Sequence, residues 1–233
     1  MGTVRLNKRL KDLGFASRRK GEEFIRQGFV MVNGVVIKDP AFPVDEDADL
    51  VTVSEALKKA TENFKYIAYY KPAGVTSTFS ENEGRGLSGA VRGLSYAGRL
   101  DKESEGLMLF SDDGPFVNSI MSPSSRKEKE YQVTVTENVH EGALAKLRGG
   151  LRIDGRMTRE AMVEKTSPRS FTIVITEGRN RQVRKMAAKV GLTVTGLVRS
   201  RIGTVTLRGM KPGEQRPLSD DEVRSLRSGL SGQ

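Results

Sequence analysis

In the run Gly98-Arg99-Leu100-Asp101-Lys102-Glu103-Ser104-Glu105-Gly106-Leu107-Met108-Leu109-Phe110, one aspartate stands between a glycine-bounded turn and an apolar strand. The chain has 233 residues, no cysteine and a single histidine, His140. A thiol nucleophile is excluded, and a multi-His metal site cannot be assembled around His140 alone. A carboxylate is the catalytic group that remains favoured. Gly98 and Gly106 suggest a constrained backbone, and Arg99 offers a nearby cation or a hand for a phosphate. Taken alone, Asp101, Glu103 and Glu105 also fit a solvated polar turn.

Two further segments carry residues of chemical interest. In Glu177-Gly178-Arg179-Asn180-Arg181-Gln182-Val183-Arg184-Lys185-Met186, helical spacing puts Val183, Met186, Ala187 and Val190 on one face, while Arg181, Arg184 and Lys185 project around it. The glycine ahead of that helix and its first amides could bind phosphate. In Lys129-Glu130-Tyr131-Gln132-Val133, strand alternation puts Lys129, Tyr131 and Val133 on one face. A tyrosine there fits ordinary packing, or stacking against a nucleobase taken out of its helix.

The elements that must position these residues follow from charge and periodicity. Lys and Arg total 39 against 29 Asp and Glu, a formal charge of +10, which favours a polyanionic partner, nucleic acid first. Residues 1–28 hold eight basic and three acidic side chains, and residues 178–213 hold nine basic and no acidic ones. Asp45-Glu46-Asp47 with Asp49 forms an acidic stretch expected to face away from a phosphate backbone. No apolar run reaches the length of a membrane span, and Met1 to Leu10 lacks the apolar core of a signal peptide, so no membrane association and a cytoplasmic location are expected.

Leu6, Leu10 and Leu13 fall at i, i+4 and i+7, predicting a short helix that Gly14 closes in a left-handed cap. Ser17 is placed to cap a second helix carrying Phe24 and Ile25 inward and ending at Gly28. Asn33-Gly34 between Phe29-Val30-Met31-Val32 and Val35-Val36-Ile37 predicts a hairpin with a type I′ turn. Residues 1–55 thus form a small module, with Lys8, Arg9, Lys11, Arg18, Arg19 and Lys20 on its solvated side, available to RNA phosphates. Residues 55–64 read as a polar linker or short helix, and 64–233 as a larger domain. Its strands are expected at 65–71, 106–110, 131–136, 171–176, 194–197 and 205–207, and its helices at 116–121, 141–147, 180–190 and 220–226. Gly84, Gly86 and Gly89 mark a flexible segment. The order predicts an α+β domain on a mixed, largely antiparallel sheet.

Arg5-Leu6-Asn7-Lys8, Ala16-Ser17-Arg18-Arg19 and Gly28-Phe29-Val30-Met31-Val32-Asn33-Gly34 resemble the S4 RNA-binding domain. Lys71-Pro72-Ala73-Gly74-Val75, Gly98-Arg99-Leu100-Asp101 through Ser104-Glu105-Gly106-Leu107, Lys129-Glu130-Tyr131 and Glu177-Gly178-Arg179-Asn180-Arg181-Gln182-Val183-Arg184 resemble, in the same order, the pseudouridine synthases of the ribosomal RNA branch, which includes the RsuA, RluB and RluF types. Val117-Asn118, Glu128 through Val135, and Arg199-Ser200-Arg201-Ile202 lean toward the RluF type, which acts on 23S rRNA.

The resemblance implies isomerisation of a uridine within rRNA. Asp101 matches the family's catalytic aspartate, acting as nucleophile or as the base that starts a glycal route. Tyr131 matches the tyrosine that stacks on the target base, and Arg184 the basic residue that pairs with the aspartate. Arg5, Lys8, Arg9, Arg18, Arg19, Lys20, Arg99, Lys129, Arg179, Asn180, Arg181 and Gln182 are then the expected RNA contacts. The expected partner is rRNA, the 23S molecule first, free or in an assembling subunit, engaged by a monomer without metal or cofactor. The alternatives are a 16S rRNA synthase, a non-catalytic S4-type ribosome-binding factor, or a hydrolase using Asp101 and Glu105.

Overall fold

Leu6 and Leu10, Phe24 and Ile25, and Val30, Val44 and Leu57 close on one small core near the start of the chain, each at most 4% exposed. Burying a side chain of this kind stabilises by about 1.5–3 kcal/mol, which holds together elements too short to be stable alone. The structure is a computed structural model that describes residues 2–16, 18–55, 57, 64–78, 87, 91 and 93–228, with backbone alone at 19 and 123. Contacts divide the chain into two compact units, Met1–Tyr66 with Gly93–Tyr96 and Phe110–Asn118, and Ile67–Arg92 with Ala97–Leu109 and Ser119–Gln233.

The first unit begins with β1 (Thr3–Arg5), α1 (Leu6–Asp12), α2 (Arg18–Arg26), β2 (Val30–Val32), β3 (Val35–Val36), β4 (Pro43–Asp45) and β5 (Val51–Val53). β1 pairs antiparallel with β4, and β3, β2 and β5 form a second small sheet. Asn33 at φ 52° and Gly34 at φ 81° occupy the two left-handed positions of a type I′ turn, so the predicted hairpin forms with Val32 opposite Val35. Leu13 departs from its expected face. The helix stops at Asp12, Leu13 becomes the C-cap and is 41% exposed, and Gly14 at φ 81° turns the chain away. Ser17, residues 56 and 58–63 of the 55–64 segment, and Gly84, Gly86 and Gly89 lie outside the described residues.

The rest of the chain contributes β6 (Tyr66–Lys71), β7 (Ser95–Tyr96), β8 (Glu105–Ser111), α3 (Gly114–Met121), β9 (Lys129–Val135), α4 (Glu141–Arg148), β10 (Arg152–Ile153), β11 (Arg156–Met157), β12 (Met162–Ser167), β13 (Ser170–Ile175), α5 (Gln182–Lys189), β14 (Val194–Ile202), β15 (Val205–Thr206), β16 (Gln215–Pro217) and α6 (Asp220–Arg227). The main sheet runs β12-β13-β9-β14-β8-β6-β16. β14 lies parallel to β8, whereas β12 with β13, β13 with β9, β9 with β14, and β16 with β6 are antiparallel. This is the mixed, largely antiparallel sheet expected of an α+β fold.

β9 and β13 alternate as a sheet with one covered face must: Tyr131, Val133 and Val135 are buried, as are Phe171, Ile173 and Ile175. β14 runs five residues past its expected end at Leu197. Arg199, Ser200 and Arg201 read as polar, yet β9 runs along one side of this stretch, with β8 beside Arg199 and β15 beside Arg201 on the other, and irregularities fall between Val194 and Gly196 and between Arg199 and Arg201. Among the described residues no helix is long and apolar enough to cross a membrane.

Candidate active site

The turn bearing Asp101 is fixed from three directions. Gly98 at φ 95° and Gly106 at φ 120° bound it in conformations that side-chain-bearing residues rarely adopt. Within the turn the Ser104 amide donates to Asp101 O at 3.1 Å. From outside, the Leu100 amide donates to Ser77 Oγ at 3.1 Å and that hydroxyl donates to Leu100 O at 2.6 Å, while the Gly74 amide donates to Lys102 O at 2.7 Å. Ser77 and Gly74 belong to the loop opened by Lys71-Pro72-Ala73-Gly74-Val75. Lys71 holds that loop from inside, its fully buried ammonium donating to Pro72 O at 3.0 Å and Val75 O at 2.7 Å. The Asp101 carboxylate keeps about 30% of its surface open to solvent.

Arg181 supplies the ion pair to this carboxylate, with Nη1 3.7 Å from Asp101 Oδ2 and 3.0 Å from Glu103 Oε2. The Arg181 hydrogen bond holds the Glu103 carboxyl below its ordinary range. Sequence matching assigned the pairing to Arg184, and the geometry differs. Arg181 sits at the N-cap of α5 in a left-handed conformation, φ 50°, from which its side chain reaches the Asp101 turn. Arg184, one helical turn on, donates to Val194 O at 3.2 Å, Ser104 Oγ at 3.3 Å and Glu103 O at 3.4 Å, so it holds the backbone just beyond Asp101.

On the sheet, Tyr131 lies opposite Arg199, and Arg199 is in turn paired with Gly106 on β8. Tyr131 is 8% exposed and Arg199 only 2%. Lys129, on the Tyr131 face, donates to Lys127 O at 3.2 Å. Burial, and secondarily the Arg199 charge, push its ammonium down to about 8. Lys71 is likewise pushed down to about 8 by burial, against the opposing pull of Asp101 and Glu105.

These shifts have a measurable sign. Both lysines bind protons less tightly folded than unfolded, where the value is near 10.5. Between about pH 8 and 10.5 the unfolded chain therefore holds more protons, and each lysine makes stability rise with pH by roughly 1–3 kcal/mol across that window. Urea unfolding at pH 8.0 and 9.5 is expected to show the rise, and Lys71→Met and Lys129→Met each to flatten it. A rise of equal slope in both variants would contradict the assignment.

The other expected RNA contacts divide into exposed and internally engaged groups. Arg99 and Asn180 are exposed, and Arg181 is exposed while engaged by Asp101 and Glu103. Gln182 is 3% exposed, receiving the Arg179 amide at 3.0 Å and donating to Glu177 Oε1 at 2.7 Å, while Arg179 donates to Glu177 Oε2, Arg156 O and Met157 O. Gln182 and Arg179 thus build the turn ahead of α5. In the first unit, Arg5 and Arg18 are exposed, and the Arg19 side chain lies outside the described residues. Lys8 pairs with Asp12 at 2.9 Å, Arg9 with Glu46 at 3.6 Å and Lys20 with Glu23 at 2.8 Å. Sequence reading missed Ser77, Lys71 and Arg199 as parts of the site. An arginine two residues after Leu197 on a covered strand face was the signal for the last.

Comparison with known proteins gives the family. Residues 65–189, more than half the chain, match the family described as RNA pseudouridylate synthase, and residues 4–50 match the S4 domain. The chain is 36% identical over 231 residues to the dual-specificity RNA pseudouridine synthase RluF of Escherichia coli K12, covering 96% of this chain and 78% of that one. It is 37% identical over 235 residues to an uncharacterized RNA pseudouridine synthase of Mycobacterium tuberculosis, covering 96% and 92%. A crystal structure of a pseudouridylate synthase superposes with a TM-score of 0.70 at 30% identity, covering 96% of this chain and 99% of that one. With an S4 domain ahead of a synthase domain, the chain belongs to the RNA pseudouridine synthases.

Proposed function

We propose that this enzyme converts a uridine of 23S ribosomal RNA to pseudouridine, with Asp101 as the group that starts the reaction and Tyr131 set against the target base. The observation that carries the reading is the Asp101 turn: a partly open carboxylate, paired with Arg181 at 3.7 Å, on a backbone held by Ser77 and Gly74. Preorganisation of this kind matters because a reacting group displaced by about 1 Å costs roughly a hundredfold in rate.

The reaction is an isomerisation, so its atoms balance without a co-reactant. The N1–C1′ bond breaks, the uracil turns while held, C5 bonds to C1′, the C5 proton leaves and N1 gains one. Asp101 acts as the nucleophile at C1′ or as the base opening the glycal route, and each needs the carboxylate beside the sugar. A base inside a helix is out of reach, so the uridine must be extruded, and a tyrosine face such as that of Tyr131 supports it once unstacked. Arg184 keeps Glu103 and Ser104 in place, and Arg181 guards the carboxylate. Residues 1–55 capture RNA and residues 64–233 perform the chemistry, in the cytoplasm where rRNA is assembled.

Mapping pseudouridine across total RNA from cells with and without this protein tests the substrate. A 23S position that loses pseudouridine and regains it on complementation is expected. Loss confined to 16S or another RNA would overturn the 23S assignment.

A further inference from the structure

We propose that Arg199 is a positioning residue for the reaction, tying the turn that carries Asp101 to the strand that faces Tyr131. The proposal rests on the role given above to Asp101. Arg199 lies within β14, 2% exposed, in register with Tyr131 on β9 and with Gly106 on β8. Its Nε donates to Leu107 O at 2.7 Å and its Nη1 to Arg99 O at 3.5 Å. Those two carbonyls bracket Asp101 in the chain, one on each side of the turn. A single planar fork thus joins both limbs of the turn to the middle of the sheet, a connection that a one-point ammonium cannot reproduce.

Of the two glycines that bound the turn, Gly106 makes room for β14 to pass this close. A Cβ at Gly106 would stand 2.4 Å from Arg199 O and 2.5 Å from Arg199 N, so the close approach of β8 to β14 depends on its absence. A Cβ at Gly98 would lie 4.0 Å from Arg199 Nη1, at the edge of the guanidinium. Gly106 therefore serves the approach of the two strands as well as the turn.

Stability alone does not account for Arg199. Its Nη2 is buried without a partner among the described residues, and a half-satisfied buried cation is less stable than a neutral packed side chain. Its charge also opposes those of Lys71 and Lys129, both buried in the same unit. What the buried guanidinium supplies against that cost is its pair of bonds to the two limbs of the Asp101 turn.

The test uses the full chain with Arg199→Gln and Arg199→Lys, alongside Asp101→Asn. Arg199→Gln removes the buried charge and keeps one donor, so it is the variant expected to fold. Arg199→Lys keeps the charge and loses the fork. Single-turnover conversion at saturating rRNA fragment is expected to fall about a hundredfold in both, with RNA affinity within about twofold of the parent. Rates within about threefold of the parent, or rate and affinity falling together, would overturn the positioning role. Failure of both variants to fold would overturn it too, by making Arg199 a requirement of the fold itself. If Asp101→Asn turns over uridine, the reading of Asp101 fails. If it is inert while the Arg199 variants work normally, the positioning proposal alone fails.

Discussion

Asp101→Asn is expected to leave a protein that folds, binds rRNA as the parent does, and converts no uridine. The amide occupies the volume of the carboxylate, so the turn held by Ser77, Gly74 and Arg199 has no reason to move. What is lost structurally is a partly exposed ion pair to Arg181 at 3.7 Å, and such pairs contribute about 0–1 kcal/mol. What is lost chemically is the charge that either route at the sugar requires. Removing a group that acts directly on the reacting bond lowers rates by roughly 10⁴-fold or more. Single-turnover conversion followed by nucleoside composition, with RNA binding and urea unfolding measured in parallel, separates the two effects. Turnover above about one hundredth of the parent rate would remove Asp101 from the chemistry.

Local rules made much of this fold legible, and the exceptions share a cause. Asn33-Gly34 specified its turn because both positions demand φ above zero, and few residue pairs accept that. β9 and β13 were readable because one face of each is covered, which writes alternation into the sequence. β12 was not, since only Val163 along it is buried and an edge strand needs no second apolar row. β14 was cut short at Leu197 because Arg199 and Arg201 look like the end of a strand, whereas Arg199 is bonded across β8 and Arg201 is held by Glu128 and Glu130.

The site shows the same division. Asp101 stood out from residue types and flanking glycines. The identity of its cation did not, because Arg181 and Arg184 are one helical turn apart and the left-handed φ of 50° at Arg181 decides which one reaches the carboxylate. Lys71 stands in the sequence as the last residue of an expected strand, yet its ammonium is the internal brace of the loop beside Asp101. Long-range hydrogen bonds of this kind leave no periodic trace.

RNA capture by the first unit is expected to depend on Arg5 and Arg18 more than on Lys8, Arg9 and Lys20. The latter three are each engaged by a carboxylate, of Asp12, Glu46 and Glu23, and a phosphate must compete with those pairings. Arg5 and Arg18 are exposed at the start of α1 and α2. Each phosphate contact removed should lower the slope of log affinity against log salt by roughly 0.7–0.9, so Arg5→Gln with Arg18→Gln should lower it by about 1.4–1.8 if each makes one. Lys8→Gln with Lys20→Gln should lower it by less than half as much. The conversion rate at saturating RNA should be unchanged in both, since none of these residues belongs to the Asp101 site. Titrating the full-length variants with an rRNA fragment from 50 to 200 mM salt, the range over which counterion release is strongly felt, gives the slopes. An unchanged slope in the Arg5 and Arg18 variant would mean that the basic face of the first unit does not anchor RNA, and that capture lies with residues 178–213 instead.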